Sequence, residues 1–82
     1  MVKDRAQVTE DIQGLLVSAL QVDKAEVPSD LAFGDIPQWD SMGHMEVMIL
    51  LEQEYGVEIN AETISQLVSI PEITDYILTS TG

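Results

Sequence analysis

Ser41 and His44 are the side chains of this sequence whose chemistry and spacing come nearest to a reactive pair. A serine nucleophile needs a general base to take its proton and a third group to orient that base. His44 is the only histidine, and the turn of a helix would direct it roughly 60° away from Ser41. No Gly-x-Ser-x-Gly turn surrounds Ser41. We therefore expect no nucleophilic triad.

The acidic side chains show no catalytic or metal-binding spacing either. Their positions do not match a calcium-binding loop, and no aromatic cleft accompanies a carboxylate pair as a glycosidase would require. One histidine without any cysteine leaves no transition-metal site and no disulfide. The sequence thus predicts a metal-free protein that is not an enzyme, and the question becomes which elements position Ser41.

Two longer helices are predicted from apolar spacing and end signals. The first covers residues 4–21, and the second covers residues 41–55, with Asp40 or Ser41 as N-cap and Gly56 just after its end. The first helix has an apolar stripe made by Val8, Ile12, Leu15, Leu16, Ala19 and Leu20.

The rest of the chain predicts two further helices and one long connection. Asn60 can cap a short third helix over residues 61–67, and Ser69-x-x-Glu72 has the pattern of a capping box before the last helix. Residues 22–40 lack a period, and we expect a helical turn at residues 29–33. Five apolar side chains could fasten this connection to the helices: Val27, Leu31, Phe33, Ile36 and Trp39. Residues 1–82 therefore predict one all-α four-helix domain with a short third helix and a long first loop.

The second helix carries apolar residues on two opposite sides. One side suits a core and consists of Val47, Met48, Leu51 and Tyr55, with His44 beside them. The other side carries Met42, Met45 and Ile49, flanked by Glu46 and Glu52. A helix buried all round is one explanation. The alternative is an exposed docking surface, for which methionine is well suited because it adapts to different partners.

The charge balance limits the partners. Fifteen acidic residues oppose three basic ones, for a net charge of −12, and no basic residue follows Lys24. Nucleic acids and anionic membranes are therefore not expected as partners. Proteins with basic surfaces are expected as partners, although solubility alone could also explain the charge. No apolar stretch could span a membrane, and no signal peptide is evident, so we expect a cytoplasmic protein.

The stretch WDSMGHMEVMILLEQEYGVEI, residues 39–59, resembles the core of the acyl carrier protein family. The hallmark of that family is Asp-Ser-Leu at the start of the second helix, and here Asp40-Ser41-Met42 stands in its place. The similarity continues through Glu-x-x-Tyr-Gly-Val-Glu-Ile at residues 52–59 and Ile-Thr-Asp-Tyr-Ile at residues 73–77. Nearly the whole chain is covered, so the resemblance implies a four-helix bundle of the acyl-carrier type.

The resemblance implies that Ser41, flanked by Asp40 and Met42, is an attachment point rather than a catalyst. A phosphopantetheinyl transferase would join 4′-phosphopantetheine to its hydroxyl, and the thiol of that arm would carry an acyl group. The partner-facing positions of the family correspond here to Met42, Met45, Glu46, Ile49 and Glu52. Trp39 could either fasten the loop or belong to the docking surface, and His44 could be packed or lie at the mouth of the space between the second and third helices.

Departures from the family pattern bear on the pathway. Gly43 and Gln53 stand where members of fatty-acid synthesis have acids, and the Gly-Gly-x-Ser signature of peptidyl carriers is absent. We therefore expect a monomeric carrier in polyketide or other specialised acyl biosynthesis, served by acyl-loading and acyl-processing enzymes with basic docking surfaces. A carrier of aminoacyl or short hydroxyacyl groups, and an unmodified acidic interaction module with this fold, remain alternatives.

Overall fold

The computed structural model describes residues 4–81, and that part of the chain is helical. The predicted all-α class and four-helix layout are confirmed, and no strand forms among the described residues. For the first three helices, whose two ends were both predicted, the observed bounds agree with the predicted ones to within one residue. The helices are α1 (Arg5–Leu20), α2 (Ser41–Tyr55), α3 (Ala61–Gln66) and α4 (Ile70–Thr81).

Local side chains account for the helix ends. Asp40, rather than Ser41, caps α2: its carboxylate accepts a hydrogen bond from the backbone N–H of Gly43 at 2.9 Å. Gly56 ends the helix in the left-handed region with φ of 70°, where glycine has no steric penalty. Asn60 caps α3 by accepting from the N–H of Thr63, whose hydroxyl accepts in return from the N–H of Asn60.

Helix α1 lies at the centre of the packing. Both α2 and α4 pack on α1 more extensively than on each other, and the short α3 lies beside α2. The side chains between them form one continuous apolar core. Its fully enclosed members include Ile12 and Leu16 of α1, Met48 and Leu51 of α2, and Ile73 of α4. This arrangement leaves one side of α2 without a helix packed on it.

The long connection differs in detail from the prediction. The expected helical turn at residues 29–33 is wrong, because a single 3₁₀ turn forms earlier, at Lys24–Glu26, where Asp23 and Glu26 cap each other. Val27, Leu31 and Trp39 are buried as predicted and Ile36 is half-buried, whereas Phe33 remains 42% exposed. Backbone hydrogen bonds hold this segment against the α3–α4 connection. They join the N–H of Phe33 to the carbonyl of Val68, and the N–H of Ile70 to the carbonyl of Leu31.

Candidate functional site

Ser41 is the first residue of α2, and its side chain is exposed. The first N–H groups of an α-helix have no acceptor within the helix, and they form the positive end of its dipole. Asp40 satisfies the N–H of Gly43, so those of Ser41 and Met42 lie at the open end of the helix. A phosphate ester on the Ser41 hydroxyl would therefore lie beside backbone donors, and this end of α2 fits such a group.

The loop before Ser41 packs closely on the first turn of α2, and Gly43 permits it. A Cβ at position 43 would lie 2.2 Å from the carbonyl oxygen of Gln38 and 2.8 Å from Cδ2 of Leu20. No side chain fits at those distances, so only glycine allows the loop to approach this far. The sequence identified Gly43 only as a missing acid, and nothing local to it indicated that a loop would press against it.

Trp39 and His44 form a buried polar contact below Ser41. The indole N–H of Trp39 donates to Nδ1 of His44 at 3.1 Å, and Nε2 of His44 lies 2.8 Å from the carbonyl oxygen of Ile64 in α3. Trp39 is fully buried and His44 is 4% exposed. Trp39 therefore fastens the loop, and its assignment to the docking surface is wrong because its side chain offers no surface to a partner.

A groove of about 350 Å³ opens beside Ser41, between α2 and α3. The volume lies at the small end of the range of about 300–1,000 Å³ that is typical of ligand clefts. Phe33 and His44 both line it, and their rings meet edge to face with centroids 5.6 Å apart. Its lining is mostly apolar and consists of Phe33, Ser41, His44, Met45, Ile64 and Val68.

The two sides of α2 divide as the sequence predicted. Val47, Met48 and Leu51 are fully buried, and Tyr55 is half-buried. On the other side Met42, Met45 and Ile49 are 81%, 41% and 37% exposed, so burial all round is wrong. Glu46 and Glu52 are exposed with them, as is Asp40 beside Ser41. We call the exposed set Met42, Met45, Glu46, Ile49 and Glu52 the α2 surface.

A second groove of the described residues lies outside the site at Ser41. A groove of about 440 Å³ lies between α1 and the last turns of α2, lined by Gly14, Leu50 and Tyr55 among others, and Ser41 takes no part in it. Among residues 4–81, no group of three or more His, Asp or Glu side chains is arranged to hold a metal ion. Within the same residues, every helix is too short or too polar to cross a membrane.

Comparison with known proteins gives one family and several relatives. The family described as "Phosphopantetheine attachment site" matches residues 10–77. A protein of Rubrobacter xylanophilus named "Acyl carrier protein" is 29% identical over 75 residues, covering 92% of this chain and 93% of the relative. Proteins with the same name from Helicobacter pylori and Solidesulfovibrio magneticus are each 34% identical, covering 83% and 85% of this chain and 87% and 90% of those relatives.

Proposed function

The chain belongs to the acyl carrier protein family, whose members carry covalently attached 4′-phosphopantetheine, and from this premise we propose that Ser41 is its attachment residue. As a member of that family the protein is a non-catalytic carrier. When bound, the group supplies a thiol that holds an acyl group as a thioester. This chain contains no cysteine of its own. Ser41, followed by Met42 and preceded by Asp40, presents the hydroxyl.

One observation carries the proposal: Ser41 is exposed at the first residue of a 15-residue helix, inside the segment that the family covers. Asp40 holds that end of the helix in place through its hydrogen bond to Gly43. The open N–H groups there suit a phosphate, and the exposed position lets a transferase reach the hydroxyl. The groove beside Ser41 provides an apolar surface next to the tethered group.

Partners of acyl carrier proteins include phosphopantetheinyl transferase and acyl-processing enzymes, and the α2 surface is where we place their contact. Its Met42, Met45 and Ile49 offer apolar area, and Glu46 and Glu52 offer negative charge around it. A basic enzyme surface would be attracted by the net charge of −12 and would cover the apolar residues on docking. We propose in addition that the carrier is monomeric and cytoplasmic.

For the pathway we propose polyketide or other specialised acyl biosynthesis. The absence of acids at Gly43 and Gln53 supports this choice over fatty-acid synthesis. Delivery of aminoacyl or short hydroxyacyl groups is the alternative within the carrier class. An acidic interaction module that is never modified at Ser41 is the alternative outside it.

Incubation with coenzyme A and a broad-specificity phosphopantetheinyl transferase tests the attachment. The intact mass should rise by one phosphopantetheine unit in the wild type and stay unchanged in Ser41→Ala. Ser29→Ala is the matched control, because Ser29 is also exposed but lies in the long connection, and it should be modified like the wild type. An unchanged wild-type mass, with a known carrier modified in parallel, would refute the carrier function and leave the interaction module. Modification of Ser41→Ala would refute the residue assignment alone.

A further inference from the structure

The imidazole of His44 joins three elements of the protein. An indole N–H can only donate, and a backbone carbonyl can only accept. His44 therefore accepts from Trp39 at Nδ1 and donates from Nε2 to the carbonyl of Ile64, so both ring nitrogens are occupied. These two hydrogen bonds connect the long loop, α2 and α3. We call the set Trp39, His44 and the Ile64 carbonyl the His44 bridge.

The His44 bridge is one of the contacts that hold helix α3 in position, together with the buried side chains of Thr63 and Leu67. The helix has six residues, and a helix of that length is not stable without tertiary contacts. The last carbonyls of a helix have no donor within it, and His44 supplies one to the carbonyl of Ile64. Moving α3 away from α2 would leave that carbonyl and Nε2–H of His44 without their partners in a partly buried place, which is unfavourable.

The His44 bridge separates the groove at Ser41 from the apolar core. Ser41, Met45 and the ring of His44 line the groove. Met48, one turn after His44 on the buried side of α2, is fully buried. A chain tethered at Ser41 would therefore meet the groove first, and its path along α2 towards Met48 would pass the ring of His44.

We propose that His44 is a specificity-determining residue for the tethered cargo, an inference that rests on the carrier function proposed above. The His44 bridge holds α3 against α2 and keeps the acyl group in the outer groove. Short or polar acyl groups lie there with the thioester accessible to enzymes and water. Long saturated chains gain no enclosed site, because entering the core would break both hydrogen bonds of His44.

Loading with acyl groups of two lengths tests this inference. A phosphopantetheinyl transferase transfers acetyl-phosphopantetheine or octanoyl-phosphopantetheine from the corresponding coenzyme A ester, and the intact mass establishes the loading. Cleavage of each thioester by hydroxylamine is then timed. In the wild type both thioesters should be cleaved at the same rate. The fluorescence of Trp39, the only tryptophan of the chain, should be the same for both cargoes.

His44→Ala removes the bridge and should open the route to the core. Its octanoyl thioester should be cleaved severalfold more slowly than its acetyl thioester, and the Trp39 emission should change on octanoyl loading. Ile64→Val is the matched control, because it alters a side chain of the groove but keeps the carbonyl that His44 contacts; it should behave like the wild type. Trp39→Phe removes a single hydrogen bond and should give intermediate octanoyl protection, so the test does not depend on His44→Ala folding.

The outcomes separate the two proposals. No mass increase in the wild type would overturn the carrier function and this inference with it. A loaded wild type whose octanoyl thioester is protected from hydroxylamine would overturn the inference alone, since the core would then be open despite His44. Equal cleavage of both thioesters in every folded variant that lacks a hydrogen bond of the His44 bridge would also overturn it.

Discussion

Replacing Gly43 by alanine should destabilise the protein, although alanine is the better helix former. Position 43 lies in the first turn of α2, where the substitution would ordinarily stabilise a helix by about 1 kcal/mol. Here the added methyl carbon would lie 2.2 Å from the carbonyl oxygen of Gln38. That oxygen belongs to the backbone, so it can move only if the loop carrying Trp39 moves.

The size of the effect follows from two opposing contributions. Overpacking typically costs about 1–3 kcal/mol, and the upper end applies because the nearest atom is backbone rather than a flexible side chain. Cδ2 of Leu20, at 2.8 Å from the same methyl position, can yield by rotation. Subtracting the gain in helix propensity leaves a net loss of about 2 kcal/mol in the free energy of unfolding. For a domain of this length that lowers the melting temperature by about 10 °C.

Gly14→Ala is a matched control because it is the same chemical change in an open place. Gly14 lies within α1, and a Cβ there meets no atom within 4 Å. This variant should be stabilised by about 0.5–1 kcal/mol. Urea unfolding of the wild type and both variants, followed by far-UV circular dichroism, gives the free energies, and the two substitutions should shift the midpoint in opposite directions.

A Gly43→Ala variant as stable as Gly14→Ala would refute the reasoning, because it would show that the loop yields without cost. The emission of Trp39 provides an independent measurement. A loop displaced by the new methyl group should alter the surroundings of the indole in the folded Gly43→Ala protein, whereas Gly14→Ala should leave the emission unchanged. An unaltered emission in a destabilised Gly43→Ala variant would place the strain elsewhere than in the loop.

Three further substitutions test the cap, the bridge and the docking surface. Asp40→Ala removes the N-cap of α2 and should cost about 1 kcal/mol in urea unfolding, whereas Asp40→Asn should retain most of that stability; equal losses would mean that the cap hydrogen bond is not what matters. Trp39→Phe keeps a buried ring but leaves Nδ1 of His44 without its donor, so the free energy of unfolding should fall by about 1–3 kcal/mol. An unchanged unfolding midpoint would show that the hydrogen bond contributes nothing to stability. Glu46→Lys and Met45→Asp alter exposed side chains and should shift stability by less than about 0.5 kcal/mol while raising the KM of the phosphopantetheinyl transferase. Docking should also weaken as salt is added; loss of the helical circular dichroism signal in either variant would contradict the assignment of the α2 surface to the exterior.

The helices and their ends could be predicted because their causes lie within a few residues. The apolar period of α1, the Asp40 cap and the left-handed Gly56 after α2 each depend on neighbours less than two turns away. The division of α2 into a buried and an exposed side followed from the 3.6-residue turn and the limited core of an 82-residue chain. The long connection had no period to read, which is why its helical turn was predicted a few residues too late.

The sequence by itself determined the class of the fold, the exposed place of Ser41 at the start of α2 and the acidic, apolar character of the α2 surface. Only the tertiary structure decided the roles of Gly43 and His44. The carbonyl of Gln38 in the folded-back loop and the side chain of Leu20 in α1 lie against Gly43, and His44 contacts the carbonyl of Ile64, 20 residues away. Local spacing cannot reveal such contacts, because they exist only once α1, the long loop and α3 have packed around α2.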